Sequence, residues 1–253
     1  MEAKQDLKLA VIIDADNVPS ANVKAMMEEI AKYGIPTFKR IYGDWTKPNL
    51  AGWKSVLLEN AITPVQQYGY TTGKNATDSA MIIDAMDILY TGKVDGFCIV
   101  SSDSDFTKLA TRLRESGMKV FGFGERKTPN PFIVACDKFV YLEILKTPSN
   151  VKASESATSK TKAAEHPPMP VVDKQTLQLI SSTVNDIADE DGWAFLGDVG
   201  NLLIKKRPDF DPRNYGYDKL TPLIKSLKAN FDVDERITDR ANIKLVYIKT
   251  RKR

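Results

Sequence analysis

A short apolar run in the middle of the chain narrows the choice of fold more than any other stretch. Residues 97–100 are all apolar, with the length and composition of a buried parallel strand. The run breaks into a turn that is rich in serine and aspartate, and a helical pattern begins at Phe106. Open α/β sheets bind ligands at such strand-to-helix turns. The stretch therefore predicts a parallel sheet with a polar site at the carboxyl end of this strand.

A second apolar run ends in the same way near the start of the chain. Residues 9–13 are apolar, and Asp14, Asp16 and Asn17 follow them. Four further apolar runs alternate with helical patterns up to about residue 145. This alternation predicts a mostly parallel, doubly wound α/β sheet. If its strand order is 3-2-1-4-5, the two acidic turns are neighbours at the topological switch point.

A change of composition divides the chain into two domains. Residues 147–169 are small, polar and aperiodic, which is typical of a flexible linker. We expect an α/β domain over residues 1–146 and a second compact domain over residues 170–253. Three helical patterns followed by two strand patterns predict that the second domain is a small winged-helix α+β domain. Its elements are expected at residues 173–189, 196–205, 219–229, 231–236 and 244–249.

The composition argues against several classes of protein. Hydrophobic residues make up 42% of the 253 residues, and no apolar run approaches the ~20 residues of a membrane span. The N-terminus lacks the apolar core of a signal peptide. Cys98 and Cys136 lie in apolar contexts, which predicts buried free thiols and a cytoplasmic location. A single histidine, His166, argues against His-based triads and His-rich zinc sites.

The charge is spread unevenly along the chain. Residues 1–145 hold 17 basic and 18 acidic residues, whereas residues 170–253 hold 15 basic and 13 acidic residues. The C-terminal part is therefore mildly basic, which suits a polyanionic partner.

Four aspartates are expected to converge on the crevice between the first and fourth strands. Asp14 and Asp103 end strands, whereas Asp78 and Asp105 fall in the first turns of helices. The helix dipole alone explains an acid in a first turn. Four carboxylates around one crevice, however, repel each other unless a proton or a cation intervenes. Carboxylates suit Mg²⁺ and similar hard cations, and phosphodiester hydrolysis is the chemistry that uses this arrangement.

Other polar residues of the two turns have two possible roles each. Asn17 either orients Asp14 or holds a metal-bound water, unless it is a plain turn residue. Asp16 is either a weaker ligand or points outward. Ser101 and Ser102 either donate to phosphate oxygens or satisfy the turn.

Basic residues near the expected sites are candidate contacts for RNA phosphates. Around the acidic crevice they are Lys74, Arg40, Lys47, Arg126 and Lys127, and in the second domain they are Lys205, Lys206, Lys225 and Lys228. The third helix of the second domain has few side chains suited to reading bases in a major groove. RNA recognition is therefore favoured over sequence-specific DNA binding, with a protein-docking winged helix as the alternative. Aromatic residues on nearby loops either stack on unpaired bases or pack in the core: Tyr42, Trp45, Tyr68 and Tyr70.

The acidic motifs resemble those of the NYN-domain family, the PIN-like ribonuclease relatives that include LabA-like proteins. The matching pieces are residues 14–17, residues 73–78 running into Asp84, and residues 101–106, in the family's order. Residues 170–250 look like the LOTUS (OST-HTH) winged-helix module, through a Gly-Trp pair and the stretch that follows it.

The resemblance implies a PIN-like three-layer α/β/α fold and an RNA-binding C-terminal module. It also implies Mg²⁺- or Mn²⁺-dependent cleavage of RNA, with Asp14, Asp78, Asp103 and Asp105 as both the catalytic residues and the metal ligands. By contrast, Asp84 is expected to be solvated or to make structural hydrogen bonds, because it lies on another face of its helix.

Two other functions fit part of the pattern. Asp14 and Asp16 also resemble the nucleophile and acid/base pair of haloacid-dehalogenase-type phosphatases, but Lys74 is a poor candidate for the lysine that such a site needs. The second alternative is a non-catalytic RNA-binding adaptor that retains the acidic site as a metal-stabilised platform.

Overall fold

The computed structural model describes most of the chain, namely residues 6–68, 76–145, 172–237 and 244–251. These residues form two compact units, one within residues 1–158 and the other within residues 159–253. The predicted linker at 147–169, Lys74 and Tyr70 lie outside the described residues, so the expectations for them stay predictions. No helix in the described part of the chain is long and apolar enough to cross a lipid bilayer.

A six-stranded parallel sheet forms the centre of the first unit. Its strands are β1 (Lys8–Asp14), β2 (Ile35–Gly43), β3 (Thr63–Gln66), β4 (Gly96–Val100), β5 (Lys119–Gly124) and β6 (Lys138–Tyr141). The order is β3-β2-β1-β4-β5-β6, which is the expected order with β6 added at one edge. The pairing of Ile13 with Val100 places the carboxyl ends of β1 and β4 side by side.

Helices cover both faces of this sheet. They are α1 (Val23–Ile30), α2 (Trp53–Asn60), α3 (Ala76–Tyr90), α4 (Thr107–Glu115) and α5 (Asn130–Ala135). Successive side chains of a strand point to opposite faces. In β1, Val11 and Ile13 accordingly pack in the core beneath α1 and α2, whereas Ala10 and Ile12 pack beneath α3, α4 and α5. The result is the expected three-layer α/β/α fold with a parallel sheet.

The second unit combines three helices with a small antiparallel sheet. Its elements are α6 (Lys174–Ile187), β7 (Ala194–Phe195), α7 (Leu196–Lys206), α8 (Leu220–Ser226), β8 (Phe231–Ile237) and β9 (Lys244–Thr250). The strand order is β7-β9-β8. Ile180, Leu203, Leu223 and Ile248 lie in the single core of this unit.

The second unit differs from the expectation in two places. The short strand β7 lies between the helices expected at residues 173–189 and 196–205, where the sequence predicts no strand. Helix α8 ends at Ser226 and not at residue 229, because the backbone of Leu227 leaves the helical conformation (φ −94°, ψ 38°). The N–H groups of Asn230 and Phe231 then donate to the Leu227 carbonyl in a turn that leads into β8. Lys228 therefore lies in this turn and not on the helix.

Candidate active site

The turn after β4 is held by its own polar side chains. The N–H of Asp105 donates to Asp103 Oδ1 at 2.9 Å, and the N–H of Asp103 donates to Ser101 Oγ at 3.1 Å. Ser102 Oγ accepts a hydrogen bond from the N–H of Glu125 at 2.8 Å. Both serines therefore satisfy backbone donors, and the position of the Asp103 carboxylate is fixed by the turn itself.

Asp14 lies beneath this turn with only 1% of its surface exposed. Its Oδ2 accepts hydrogen bonds from Asn17 Nδ2 at 2.6 Å and from Ser101 Oγ at 2.9 Å, and its Oδ1 accepts one from the N–H of Asp16 at 3.1 Å. Burial raises the pKa of Asp14, and these donors oppose the rise. Asn17 thus orients Asp14, whereas the Asp16 side chain is exposed.

Three further aspartates gather close together. They are Asp78, Asp103 and Asp105, of which Asp78 lies in the first turn of α3. Each offers a carboxylate oxygen, and these three oxygens all lie within 4.8 Å of one another. Burial, and after it the negative charges of Asp14, Asp103, Asp105 and Asp16 in that order, raise the pKa of Asp78 from 3.8 to about 6. Asp14 is outside the close trio, yet it has the largest effect of any charge on Asp78.

The expected tetrad therefore has two parts, a buried Asp14 and an accessible trio. None of the ion pairs between described residues involves Asp14, Asp78 or Asp103. Carboxylate oxygens at this spacing are the donor set that a hard divalent cation takes. Burial and the neighbouring carboxylates disfavour the charged form of Asp78 and raise its pKa, and a bound cation would oppose this effect.

Residues 8–143 match the NYN domain, a span of more than half of the chain. The chain belongs to the NYN-domain family. Residues 168–242 match the OST-HTH/LOTUS domain, so both halves of the expected architecture are confirmed.

Two solved structures resemble parts of the chain. One is the crystal structure of a protein of unknown function from Vibrio parahaemolyticus, with 21% identity, 56% of this chain and 96% of that chain covered, and a TM-score of 0.47. The other is the solution NMR structure of an uncharacterized protein from Nitrosomonas europaea, which is 31% identical. The match covers 40% of this chain and 93% of that chain, with a TM-score of 0.31. No curated protein matches the chain significantly.

A hydrogen-bonded network holds α3 of the NYN domain against β2. Asp84 accepts hydrogen bonds from Arg40 Nη1 and from Tyr42 Oη. Tyr42 is fully buried, and burial followed by the contact with Asp84 raises its pKa. Asp84 thus makes the structural hydrogen bonds that were expected of it, and Tyr42 packs in the core. The guanidinium of Arg40 is engaged in this pair, although the sequence proposes it as a phosphate contact.

The other candidate cations of the NYN domain differ in their surroundings. Lys127 pairs with Glu125 at 2.5 Å, and the guanidinium of Arg126 lies 5.5 Å from the centre of the Tyr141 ring. Lys47 is exposed and makes no ion pair with another described residue.

Two cations on the helix that follows the acidic turn are absent from the candidates predicted from the sequence. Lys108 and Arg112 are exposed on α4, the helix that begins beside Asp105. Neither makes an ion pair within the described part of the chain. Residues four apart lie on one helix face. This spacing directly after an acidic turn is the signal that would have identified them.

The candidate cations of the OST-HTH domain fall into two groups. Lys206 pairs with Asp186, and Lys225 pairs with Glu235. Lys205 and Lys228 are exposed, without an ion pair to any other described residue.

Proposed function

We propose that the protein is a divalent-metal-dependent ribonuclease that hydrolyses RNA phosphodiester bonds at the acidic trio. The main support is that the carboxylates of Asp78, Asp103 and Asp105 lie close together at the carboxyl end of the NYN sheet. Membership of a family with a PIN-like nuclease fold supports hydrolysis of nucleic acid. The OST-HTH domain, a module type associated with RNA, supports RNA as the substrate.

Mg²⁺ or Mn²⁺ fits the donor set of this site. Asp78, Asp103 and Asp105 would hold the cation, and the buried Asp14 adds negative charge beneath them. When bound, the cation supplies charge neutralisation at phosphate oxygens and lowers the pKa of a nearby water. The protein's own contribution is positional, because the N–H of Asp105 fixes the Asp103 carboxylate while Asn17 fixes that of Asp14.

Cationic side chains would hold the RNA backbone near the trio. We assign phosphate contacts to Lys47 and Arg126, to Lys74, and to the α4 pair Lys108 and Arg112. Arg40 and Lys127 have intramolecular partners, so their contribution should be smaller. In the OST-HTH domain, the exposed Lys205 and Lys228 should contribute more than the paired Lys206 and Lys225. A protein partner of this domain is the alternative.

The buried state of Asp14 disfavours a phosphatase of the haloacid-dehalogenase type. Such an enzyme needs the first aspartate as an accessible nucleophile. Asp14 is 1% exposed, and both of its oxygens accept hydrogen bonds.

The test is incubation of the full chain with labelled single-stranded RNA, with Mn²⁺, with Mg²⁺ and with excess chelator. Cleavage that requires the cation is expected. Cleavage that persists in chelator would contradict metal dependence. Binding without turnover in either metal would select the adaptor, and phosphate release from a generic aryl phosphate would select the phosphatase.

A further inference from the structure

The outer face of the β7-β9-β8 sheet in the OST-HTH domain carries aromatic side chains. Ala194 and Ile248 pair across the strands and are buried in the core. Because side chains alternate along a strand, the next pair, Phe195 and Tyr247, points to the opposite side. The two rings lie 5.8 Å apart at an angle of 54°, and Phe195 is 36% exposed.

Cationic side chains lie over aromatic rings on this side of the sheet. The guanidinium of Arg236 lies 4.1 Å from the centre of the Tyr247 ring and 5.8 Å from that of Trp193, and Lys249 Nζ lies 5.9 Å from the Trp193 ring. Trp193 directly precedes β7. We use the term aromatic face for Trp193, Phe195, Tyr247, Arg236 and Lys249.

The core of the OST-HTH domain does not require these rings. Its buried cluster is formed by other residues, and Trp193, Phe195 and Tyr247 are absent from it. Flat rings and guanidinium planes on a solvent-facing sheet offer the surface on which unpaired bases stack. In a duplex the faces of the bases are already stacked on each other, so the chemistry selects single-stranded RNA.

The charges around the aromatic face suit a ligand that is held mainly by its bases. Arg236 pairs with Asp234 at 2.8 Å, and Lys249 Nζ donates to the carbonyl of Asp191 at 2.6 Å. The Arg236–Asp234 pair is exposed, so a phosphate can replace the carboxylate at little cost. The face therefore accommodates one or two phosphates, and its affinity for RNA should depend weakly on salt.

We propose that the aromatic face binds unpaired bases of single-stranded RNA by stacking, a proposal that rests on the proposed function and names the surface that the RNA uses. It places RNA on the sheet of the OST-HTH domain and not on α8, where Lys225 is paired with Glu235. The occupant is the single-stranded substrate or the part of it that extends beyond the cleavage site.

The first measurement is the affinity of the full chain for labelled oligo(U), in an Asp103→Asn background that prevents cleavage. Trp193→Leu and Tyr247→Leu keep apolar bulk but remove the flat ring. Each should weaken binding by about 5- to 150-fold, the range for loss of one base stack. The slope of affinity against salt should not change, because no phosphate contact is lost. Tyr247→Phe should bind like the parent.

Tyr90→Leu is the matched control, since Tyr90 is an exposed tyrosine of the NYN domain. It should leave the affinity unchanged. The second measurement is intrinsic fluorescence, which works even if a leucine variant folds poorly. Oligo(U) should quench the parent, whereas Trp193→Phe should keep the affinity and lose most of the quenching, because Trp53 is buried and Trp45 packs against the NYN core.

The outcomes separate this inference from the proposed function. Parental affinity in both leucine variants, with weaker binding in a Lys205→Gln, Lys228→Gln double variant, overturns the aromatic face and leaves RNA binding intact. Equal affinity for duplex RNA and oligo(U) overturns it as well. Failure of the parent to bind any RNA would overturn both the inference and the RNA-binding part of the proposed function.

Discussion

Replacing Asp78 by asparagine should stabilise the metal-free protein at neutral pH. Burial and neighbouring carboxylates raise the pKa of Asp78 from 3.8 to about 6. Between these values, folded Asp78 holds a proton that the unfolded chain has released, so the free energy of unfolding falls as the pH rises. The stabilising contribution is complete below pH 3.8 and is lost as the pH passes about 6. The variant has no charge to repel and avoids this loss.

The size of the effect follows from the shift in pKa. A rise from 3.8 to about 6 corresponds to about 3 kcal/mol in a dry site. Asp78 is only half-buried, and solvent screening should reduce this to about 1–2 kcal/mol. In a domain of this size, the gain in Tm is about 3–6 °C.

Thermal unfolding in EDTA measures this difference, with Asp87→Asn as a control because Asp87 is exposed on the same helix. At about pH 4 the wild type and both variants should have similar Tm values, and at about pH 7.5 only Asp78→Asn should gain. Added Mn²⁺ should raise the Tm of the wild type more than that of Asp78→Asn. An equal Tm for wild type and Asp78→Asn at neutral pH, or the same gain at both pH values, would refute the repulsion argument.

Three further predictions test the fold, the domain boundary and the role of the second domain in RNA binding. Asp84→Ala leaves Arg40 and the buried Tyr42 hydroxyl without their partner, so the free energy of unfolding measured in urea should fall by about 2–3 kcal/mol. A fall below about 0.5 kcal/mol would count against this network. Limited proteolysis should cut first within residues 147–169 and leave two folded pieces; a first cut inside either domain would disprove that boundary. Deletion of residues 170–253 should weaken RNA binding and slow cleavage at low RNA but not at high RNA. Equal cleavage rates at every RNA concentration would exclude a substrate-binding role for these residues.

Sheet order and the acidic turns follow from local patterns. Apolar runs alternate with helical patterns, and right-handed crossovers leave few arrangements of the strands. Once β1 and β4 are neighbours, Asp14 and Asp103 must lie at one edge of the sheet. Asp105 lies in the turn after β4 and Asp78 in the first turn of α3, the helix that follows β3, so both also lie towards this edge.

Contacts between distant elements could not be predicted in this way. The Asp14 carboxylate accepts a hydrogen bond from Ser101, which directly follows β4 and not the strand that carries Asp14. Helical periodicity places Asp84 on a different face from Asp78, but it does not identify Arg40 of β2 as the partner of Asp84. Strand β7 has only two residues, which is too short for a sequence pattern to show, and it is defined by its pairing with β9.

The rate of cleavage of labelled single-stranded RNA in Mn²⁺ tests the central claim most directly, with wild type, Asp103→Asn and Asp87→Asn compared side by side. Loss of residues that only support a metal ligand costs 10- to 100-fold, so loss of the Asp103 charge should slow cleavage by about 100-fold or more. RNA binding by Asp103→Asn should be nearly unchanged, and Asp87→Asn should cleave like the wild type. Equal cleavage by the wild type and Asp103→Asn would contradict a ribonuclease site at the acidic trio.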